Sequence, residues 1–352
     1  MNLYTIYPSI PLPSKPVTIL GIESTAHTFG VGIVRSPPFR ILADKRSKYV
    51  PPSGGIKPRD AVEHMVKNAP KTLEEALREA GLEIDEIDAV AVALGPGLGP
   101  TLRVGATLGR ALASYYNKPL IPVNHAVAHI EIGKVLCGMN DPLVVYVSGG
   151  NTTIAITGYQ RYLVIGETMD IALGNALDVF SREIGIAPPY IVNGMHAVDL
   201  CSKNGKYVKG ILPYTVKGQD MSYSGLLTAA LRLFKKGAVK LEDLCFTYRE
   251  IAFSQLAEAA DRALGVSGKR QVLLVGGVAA NDELSRKLQV MSEERGCSYC
   301  RVPKRYAGDN GVMIAWTGFL SYIYGVTVPP MNAYIKQRWR LDKVEVPWNT
   351  AS

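Results

Sequence analysis

Apolar and polar positions along this chain follow a rhythm that runs through once and then starts again. Residues 17–23 form a nearly unbroken apolar run, and the turn Ser24-Thr25-Ala26-His27-Thr28 leads into a second run at 29–34. A third, at 40–47, follows Pro37-Pro38. Short runs of this kind, bounded by turn residues, predict strands. A Pro/Gly-rich loop at 50–58 gives way to a helical pattern over 59–80, a buried strand at 88–94, a helix at 101–116 and a short strand at 119–123. The next helix carries Asn124-His125-Ala126-Val127-Ala128-His129.

After Asp141-Pro142 the order restarts. Strands are expected at 143–147, 152–157 and 162–167, the first two joined by the tight turn Ser148-Gly149-Gly150-Asn151. Helices follow at 172–184, 222–235 and 241–264, then a buried strand at 271–275, a helix from 281, a strand at 298–302 and a last helix at 309–324. Three strands followed by helix-and-strand units, occurring twice, predict an internally duplicated α/β architecture. Actin, sugar kinases and the Hsp70 ATPase domain share this plan (the ASKHA fold), in which nucleotide, and here also a metal, would lie in the cleft between two lobes. The expected division is a flexible arm at 1–16, a first lobe at 17–141, a second lobe at 142–328 and a tail at 329–352 packing back on the first lobe.

Composition changes this picture only at the edges. With 47% hydrophobic and 20% charged residues the chain reads as an ordinary globular protein, long enough for two domains. No run of 18 apolar residues occurs, so no membrane span is expected. The first 16 residues, with four prolines, lack the features of a signal peptide and read as a loosely held arm. Five cysteines, odd in number and scattered, argue against a disulfide framework and for an intracellular, cytoplasmic setting. Cys297 and Cys300 form a C-x-x-C read as mostly structural, with a disulfide left open if the source is a hyperthermophile. A net charge of +8 directs attention to an anionic partner, nucleic acid first.

The chemistry-bearing residues are few. On a helix, His125 and His129 project from one face, which can aim both imidazoles at one cation; the plain alternative is two polar residues on a partly solvated face. Imidazole suits zinc or iron, and a carboxylate from elsewhere usually completes such a site. Asp309, in Gly308-Asp309-Asn310-Gly311, could supply it, although the commoner role for an acid there is to cap the helix. The two hairpin turns, containing Ser24, Thr25 and His27 in one half and Ser148, Gly149, Gly150 and Asn151 in the other, stand at matching places. Either alone is an ordinary turn. As a pair they favour phosphate binding, because small residues let backbone N–H groups approach phosphate oxygens. Gly276-Gly277-Val278-Ala279-Ala280-Asn281 is a strand–glycine–helix junction against which a nucleotide can lie. Gly95 to Gly99 matches a dinucleotide fingerprint only loosely, Pro100 replacing its last glycine.

Together, Gly21-Ile22-Glu23-Ser24-Thr25-Ala26-His27-Thr28, the His125/His129 segment, Tyr146-Val147-Ser148-Gly149-Gly150-Asn151-Thr152, Gly174-Asn175-Ala176-Leu177-Asp178, the Gly276 junction and the Asp309 segment resemble one family. It is the universal tRNA threonylcarbamoyladenosine transferase family, formerly named O-sialoglycoprotein endopeptidase. Gln337-Arg338-Trp339-Arg340-Leu341-Asp342 further resembles its archaeal and eukaryotic branch, the catalytic subunit of the KEOPS complex. The resemblance extends over residues 21–342. It implies that His125, His129 and Asp309 bind one iron or zinc ion, with Tyr146 as a further ligand. It also implies that Tyr146, Val147, Ser148, Gly149, Gly150, Asp178 and Asn281 hold an adenylate. Within Pro188-Pro189-Tyr190-Ile191-Val192-Asn193-Gly194 and beyond, Gly194 and Asp199 match the ribose-binding glycine and carboxylate best. Where bacterial relatives have an acidic pair, this chain has Ala26-His27, so no carboxylate base is expected there.

The implied activity is a metal-dependent acyl transfer from threonylcarbamoyl-AMP to the exocyclic amine of the adenosine 3′ of the anticodon in tRNAs reading ANN codons. Implied partners are tRNA, a separate small kinase/ATPase subunit and the other KEOPS subunits, with no membrane. Two rivals share parts of this picture. A metalloprotease needs a glutamate directly after the first histidine to activate water, and Ala126 stands there instead. A kinase or chaperone-type ATPase would share the fold, since fold does not fix function.

Overall fold

The computed structural model describes residues 2–51 and 54–350, so residues 1, 52, 53, 351 and 352 of the expected arm, loop and tail lie outside the described residues. Two five-stranded sheets organise the chain. The first is built from β1 (Val17–Glu23), β2 (Thr28–Ser36), β3 (Arg40–Lys48), β4 (Ala89–Gly95) and β5 (Leu120–Asn124), in the order β3-β2-β1-β4-β5. Helix α1 (Pro58–Ala80) precedes β4, α2 (Gly99–Tyr115) joins β4 to β5, and α3 (His125–Cys137) follows.

The second lobe repeats the plan. It begins with β6 (Leu143–Val147), β7 (Thr152–Gly158), β8 (Arg161–Glu167) and α4 (Leu173–Glu183). Two small hairpins follow, β9 (Ile191–Val192) with β10 (Met195–His196) and, after α5 (Ala197–Cys201), β11 (Val216–Lys217) with β12 (Asp220–Met221). Then come α6 (Ser224–Lys236), α7 (Leu241–Ser267), β13 (Gln271–Val275), α8 (Asp282–Glu294), β14 (Ser298–Arg301), α9 (Lys304–Ala307) and α10 (Gly311–Ile323). The second sheet's order is β14-β13-β6-β7-β8. In both sheets the first strand pairs antiparallel with the second and parallel with a strand that comes later. β1, β4 and β6 are buried along almost their whole length, which is why they read as unbroken apolar runs rather than alternating ones.

The lobes exchange helices. α10, the last helix in the second lobe's stretch of sequence, lies on the first sheet; a side chain at Gly21 would meet Ala315 N at 2.2 Å, and one at Gly32 would meet Val312 N at 2.2 Å. Glycines thus let helix and sheet backbones approach closely. In return α3 lies on the second sheet, where a Cβ at Gly133 would meet Val275 Cγ1 at 2.5 Å. α3 and α10 also pack on each other. This crossing brings the start of α3 to the start of α10.

Three other expectations change. The arm is docked, with Leu3, Ile6, Tyr7 and Ile10 buried in the main core. Tyr7 Oη donates to the fully buried Glu131 at 2.8 Å, and Trp316 Nε1 donates to Tyr7 Oη at 3.3 Å. These residues sit in and just after a single 3-10 turn, Leu3–Thr5, and burial of their apolar side chains holds the arm in place despite its prolines. The tail packs on both lobes. Lys336 N donates to Leu94 O and Asn124 Nδ2 to Trp339 O in the first, while Val346 N and Asn349 O bond the Gln160 backbone in the second. Finally, two disulfides link elements distant in sequence, Cys137 to Cys300 and Cys201 to Cys245, leaving Cys297 buried and free. Even spacing within the sequence did not reveal them, because each partner sits on a different element that only packing brings together.

Candidate active site

Each group of site residues arrives at the cleft from the end of an element. β5 runs into α3 without a loop, and Asn124 caps the helix by accepting from Ala126 N and Val127 N. The cap fixes the first turn, so His125 and His129 point from one face, with ring centroids 4.7 Å apart. Asp309 comes from the segment leading into α10. The residue that caps α10 is Asn310, which accepts from Met313 N, so the Asp309 carboxylate is free of the capping role. It turns instead to the histidines, its Oδ1 lying 3.5 Å from His125 Nε2 and 3.4 Å from His129 Nε2.

These three ligand atoms lie within 4.8 Å of one another, and the histidines are buried. Two ligand atoms about 2.1 Å from a tetrahedral cation stand about 3.4 Å apart, which the two Asp309 contacts match. His129 has no hydrogen-bond partner on either ring nitrogen, an expensive state for a buried imidazole unless a cation takes one of them. Burial, with the neighbouring His125, lowers the His129 pKa. The residues fit a zinc or iron ion.

His125 is held differently. Its Nδ1 lies 2.9 Å from Glu23 Oε2, at the end of β1, and Glu23 is fully buried. Burial works to lower the His125 pKa, but the Glu23 carboxylate, with Asp309, overrides it and raises the pKa to about 9. Thr25 donates to Glu23 Oε1 from both its backbone N and its Oγ1, each at 2.6 Å. Glu23 thereby sets which His125 nitrogen faces Asp309. Sequence reasoning missed this residue, although one acid closing an otherwise apolar strand was visible.

The hydroxyls of the first turn face into the lobe. Ser24 Oγ accepts from Gly105 N inside the lobe, Thr25 Oγ1 is committed to Glu23, and both residues are buried. His27 is largely buried, and its Nδ1 lacks a partner; burial lowers its pKa while Asp309 opposes the shift. The second turn is open. Ser148 N donates to Asn151 O and Asn151 N to Ser148 Oγ, which shape the turn, while Gly149 and Gly150 are exposed. Val147 is buried beneath it. Tyr146 stands between turn and histidines: its ring lies 5.4 Å from that of His129, and Asn151 Nδ2 contacts its hydroxyl at 3.5 Å. Burial holds the phenol well above its ordinary pKa.

Farther along the cleft, Asn281 caps α8 and donates Nδ2 to Asp199 Oδ2 at 2.7 Å, while Arg249 lies 3.4 Å from Asp199 Oδ1. Burial raises the Asp199 pKa against the pull of Arg249. Asp178, half exposed, pairs with His196 at 3.0 Å. Gly194 is at the exposed tip of the β9–β10 hairpin, where φ of +78° requires a glycine-like conformation. Asp199 and Asn281 are thus in contact and Asp178 is linked to them through the His196 region, while Gly194 approaches only along the hairpin.

The duplicated two-lobe α/β fold is of the ASKHA type, and in this chain a His–His–Asp group lies where α3 and α10 begin. Structures sharing the fold include HypF from T. kodakarensis, at 16% identity and a TM-score of 0.61, covering 90% of this chain; the chain spans about half of HypF, 48% of its length. The activator of 2-hydroxyisocaproyl-CoA dehydratase from Clostridium difficile, solved with bound ADPNP, matches 88% of this chain and 96% of its own at 14% identity and a TM-score of 0.51. The chain belongs to the tRNA N6-adenosine threonylcarbamoyltransferase family, whose model matches residues 40–316. Proteins of that name from Staphylothermus marinus and Aeropyrum pernix are 57% and 56% identical to it, over 94% and 96% of this chain and 99% and 96% of their own lengths. It is a transferase that modifies tRNA adenosine. Among the described residues no helix is long and apolar enough to cross a membrane.

Proposed function

We propose that the His125–His129–Asp309 group holds one iron or zinc ion beside an adenylate site, and that threonylcarbamoyl-AMP is the donor. The observation that carries this reading is the convergence of two imidazole Nε2 atoms on one carboxylate, with His129 otherwise unpartnered. When bound, the ion would supply Lewis-acid stabilisation of charge developing on the donor's oxygens. Tyr146, whose ring lies 5.4 Å from that of His129, would join this centre. The backbone N–H groups of Gly149 and Gly150 would receive the AMP phosphate, and the Asp178, Asp199 and Asn281 carboxylates and amide the nucleoside, with Gly194 flanking the ribose. The acceptor is the adenosine 3′ of the anticodon in tRNAs reading ANN codons. Its exocyclic nitrogen forms a bond to the carbamoyl carbon as the bond to the phosphate oxygen breaks; AMP departs and the amine loses a proton. Glu23 would keep His125 oriented throughout.

A KEOPS-type assembly with a small kinase/ATPase subunit, acting in the cytoplasm, completes the proposal. The protease reading has no support in the geometry: Ala126 follows His125, and Glu23 faces the far nitrogen of His125 rather than a site where it could activate water. Reconstitution with tRNA, threonine, bicarbonate, ATP and partner subunits tests the whole reading. The wild type should form threonylcarbamoyladenosine, and the His125→Ala/His129→Ala variant should lose both bound metal and at least about 10²-fold in rate. Equal activity in the variant would remove the metal from the reaction.

A further inference from the structure

The chain's net charge is concentrated in one place. Residues 202–241 contain eight Lys or Arg and a single Asp, a net charge of +7, against +8 for all 352 residues. The remainder of the chain is therefore close to neutral. Structure makes this local excess a continuous surface. From Gly205 to Gly218 the segment runs alongside α7 in the same direction: Gly205 lies against Glu242 O, Val208 N donates to Thr247 Oγ1, Tyr214 Oη donates to Glu258 Oε2 and Arg262 reaches Gly218 O. Twenty residues of helix separate Glu242 from Arg262, a span of about 30 Å. Lys203, Lys206, Lys209 and Lys217 are exposed along it, and Lys235, Lys236 and Lys240 are exposed where α6 turns into α7. Among the described residues none of these seven lysines forms an ion pair.

Of the acids beside the strip, Glu258, Glu250 and Asp261 are paired with Arg262, Lys287 and Arg295, while Asp220, Glu242 and Asp243 keep their charge. Asp243 accepts from Lys206 N, Glu258 binds Tyr214 and Arg262, and Asp220 accepts from Glu167 N, leaving Glu242 exposed. Two tyrosines, Tyr207 and Tyr214, are about half exposed among the lysines. The strip also leads directly from the site: Lys203 follows Asp199 by four residues, and Arg249 of α7 contacts Asp199.

We propose that this strip, along α7 and the 202–218 segment, is the surface on which the protein grips the phosphate backbone of its tRNA. A long row of unpaired cations fits a polyanion, and neighbouring aromatic faces suit bases or riboses. Outside residues 202–241 the formal charges of the chain nearly cancel, at +1. The proposal rests on tRNA being the substrate.

The test is tRNA binding by the full chain, followed by fluorescence anisotropy between 50 and 200 mM salt. One variant carries Lys203→Ser, Lys206→Ser, Lys209→Ser and Lys217→Ser. A control of equal charge carries Lys15→Ser, Lys57→Ser, Lys67→Ser and Lys71→Ser, all exposed and remote in sequence from the strip. Thermal melting verifies that both fold. The strip variant should bind at least about tenfold more weakly at 150 mM salt, and the slope of log affinity against log salt should fall by up to about four. The control should change affinity by less than about threefold. Equal losses in both variants overturn the proposal, since they would show diffuse charge at work. So does unchanged tRNA binding by the strip variant, including the case in which it loses an acidic protein partner instead, and so does the absence of salt-sensitive tRNA binding by the wild type. Transfer by the wild-type assembly is measured in parallel, so failure of the substrate assignment and failure of the strip read differently.

Discussion

The two lobes carry the same hairpin turn at the same place, and they use it in opposite ways. In the first lobe the Ser24–Thr25 turn faces inward: its hydroxyls bond Gly105 N and Glu23, and Glu23 holds His125. In the second lobe the Ser148 turn faces outward, with Gly149 and Gly150 exposed and open space around both. Duplication supplied two equivalent turns, and the side chains beneath them decided which would build the floor of the cleft and which would remain accessible to a ligand. Symmetry of backbone is therefore a poor guide to symmetry of chemistry. What separates the turns is one buried acid, Glu23, whose need for hydrogen bonds draws the first turn inward.

Removing that acid should have the largest effect. Glu23→Ala removes the carboxylate from the buried His125 Nδ1 and leaves it only the Thr25 Oγ1 contact at 3.2 Å, so the ring is held less firmly and metal affinity is expected to fall roughly 10–100-fold. Metal titration of the purified variant measures this, and an unchanged affinity would show that Glu23 does not orient the histidine. A smaller effect separates the two turns directly. In Gly105→Ala the new Cβ would meet Ser24 Oγ at 2.3 Å, a cost of about 1–3 kcal/mol from overpacking that exceeds the gain of about 1 kcal/mol in helix propensity. Gly150→Ala meets nothing within 4 Å and should leave the unfolding free energy within about 0.5 kcal/mol of wild type. Chemical denaturation of the two variants compares them, and equal stabilities would erase the distinction between a closed and an open turn.

The smallest effect concerns the second lobe's own acid. Asp170 is exposed rather than buried and gathers hydrogen bonds from Ser222, Ser224 and the backbone of Tyr223 and Ile171. The partial shielding of its carboxylate from water works against ionisation, but these donors bring its pKa down from 3.8 to about 2. Because the folded value lies below the unfolded one, its contribution is complete above about pH 4 and is lost as pH falls through about 2. Melting temperatures of wild type and Asp170→Asn should therefore differ at neutral pH and converge toward pH 2; parallel curves would remove Asp170 as a source of acid sensitivity.

Much of this molecule was legible in its residues. The strands at 143–147 and 271–275 match the observed β6 and β13, since a buried strand between turns leaves an unambiguous apolar run. The i, i+4 histidines were readable because helix geometry alone sets their common direction. The arm was misjudged because four prolines concealed the Leu3, Ile6, Tyr7 and Ile10 spacing, and nothing local shows that a core awaits them. The disulfides were missed for a related reason: Cys137 and Cys300 are 163 residues apart, and proximity of that kind is a property of packing.

By itself, the sequence determined the order of elements, the duplication, the pair of histidines and the family to which the chain belongs. Periodicity, capping and turn chemistry are local, and a few neighbouring residues suffice to express them. Tertiary structure alone decided the exchange of α3 and α10 between lobes, and with it the meeting of His125 and His129 with Asp309. It also turned Glu23 onto His125 and spread the lysines of residues 202–241 along one side of α7. Those facts depend on which surfaces bury each other, and burial joins residues that the chain keeps far apart.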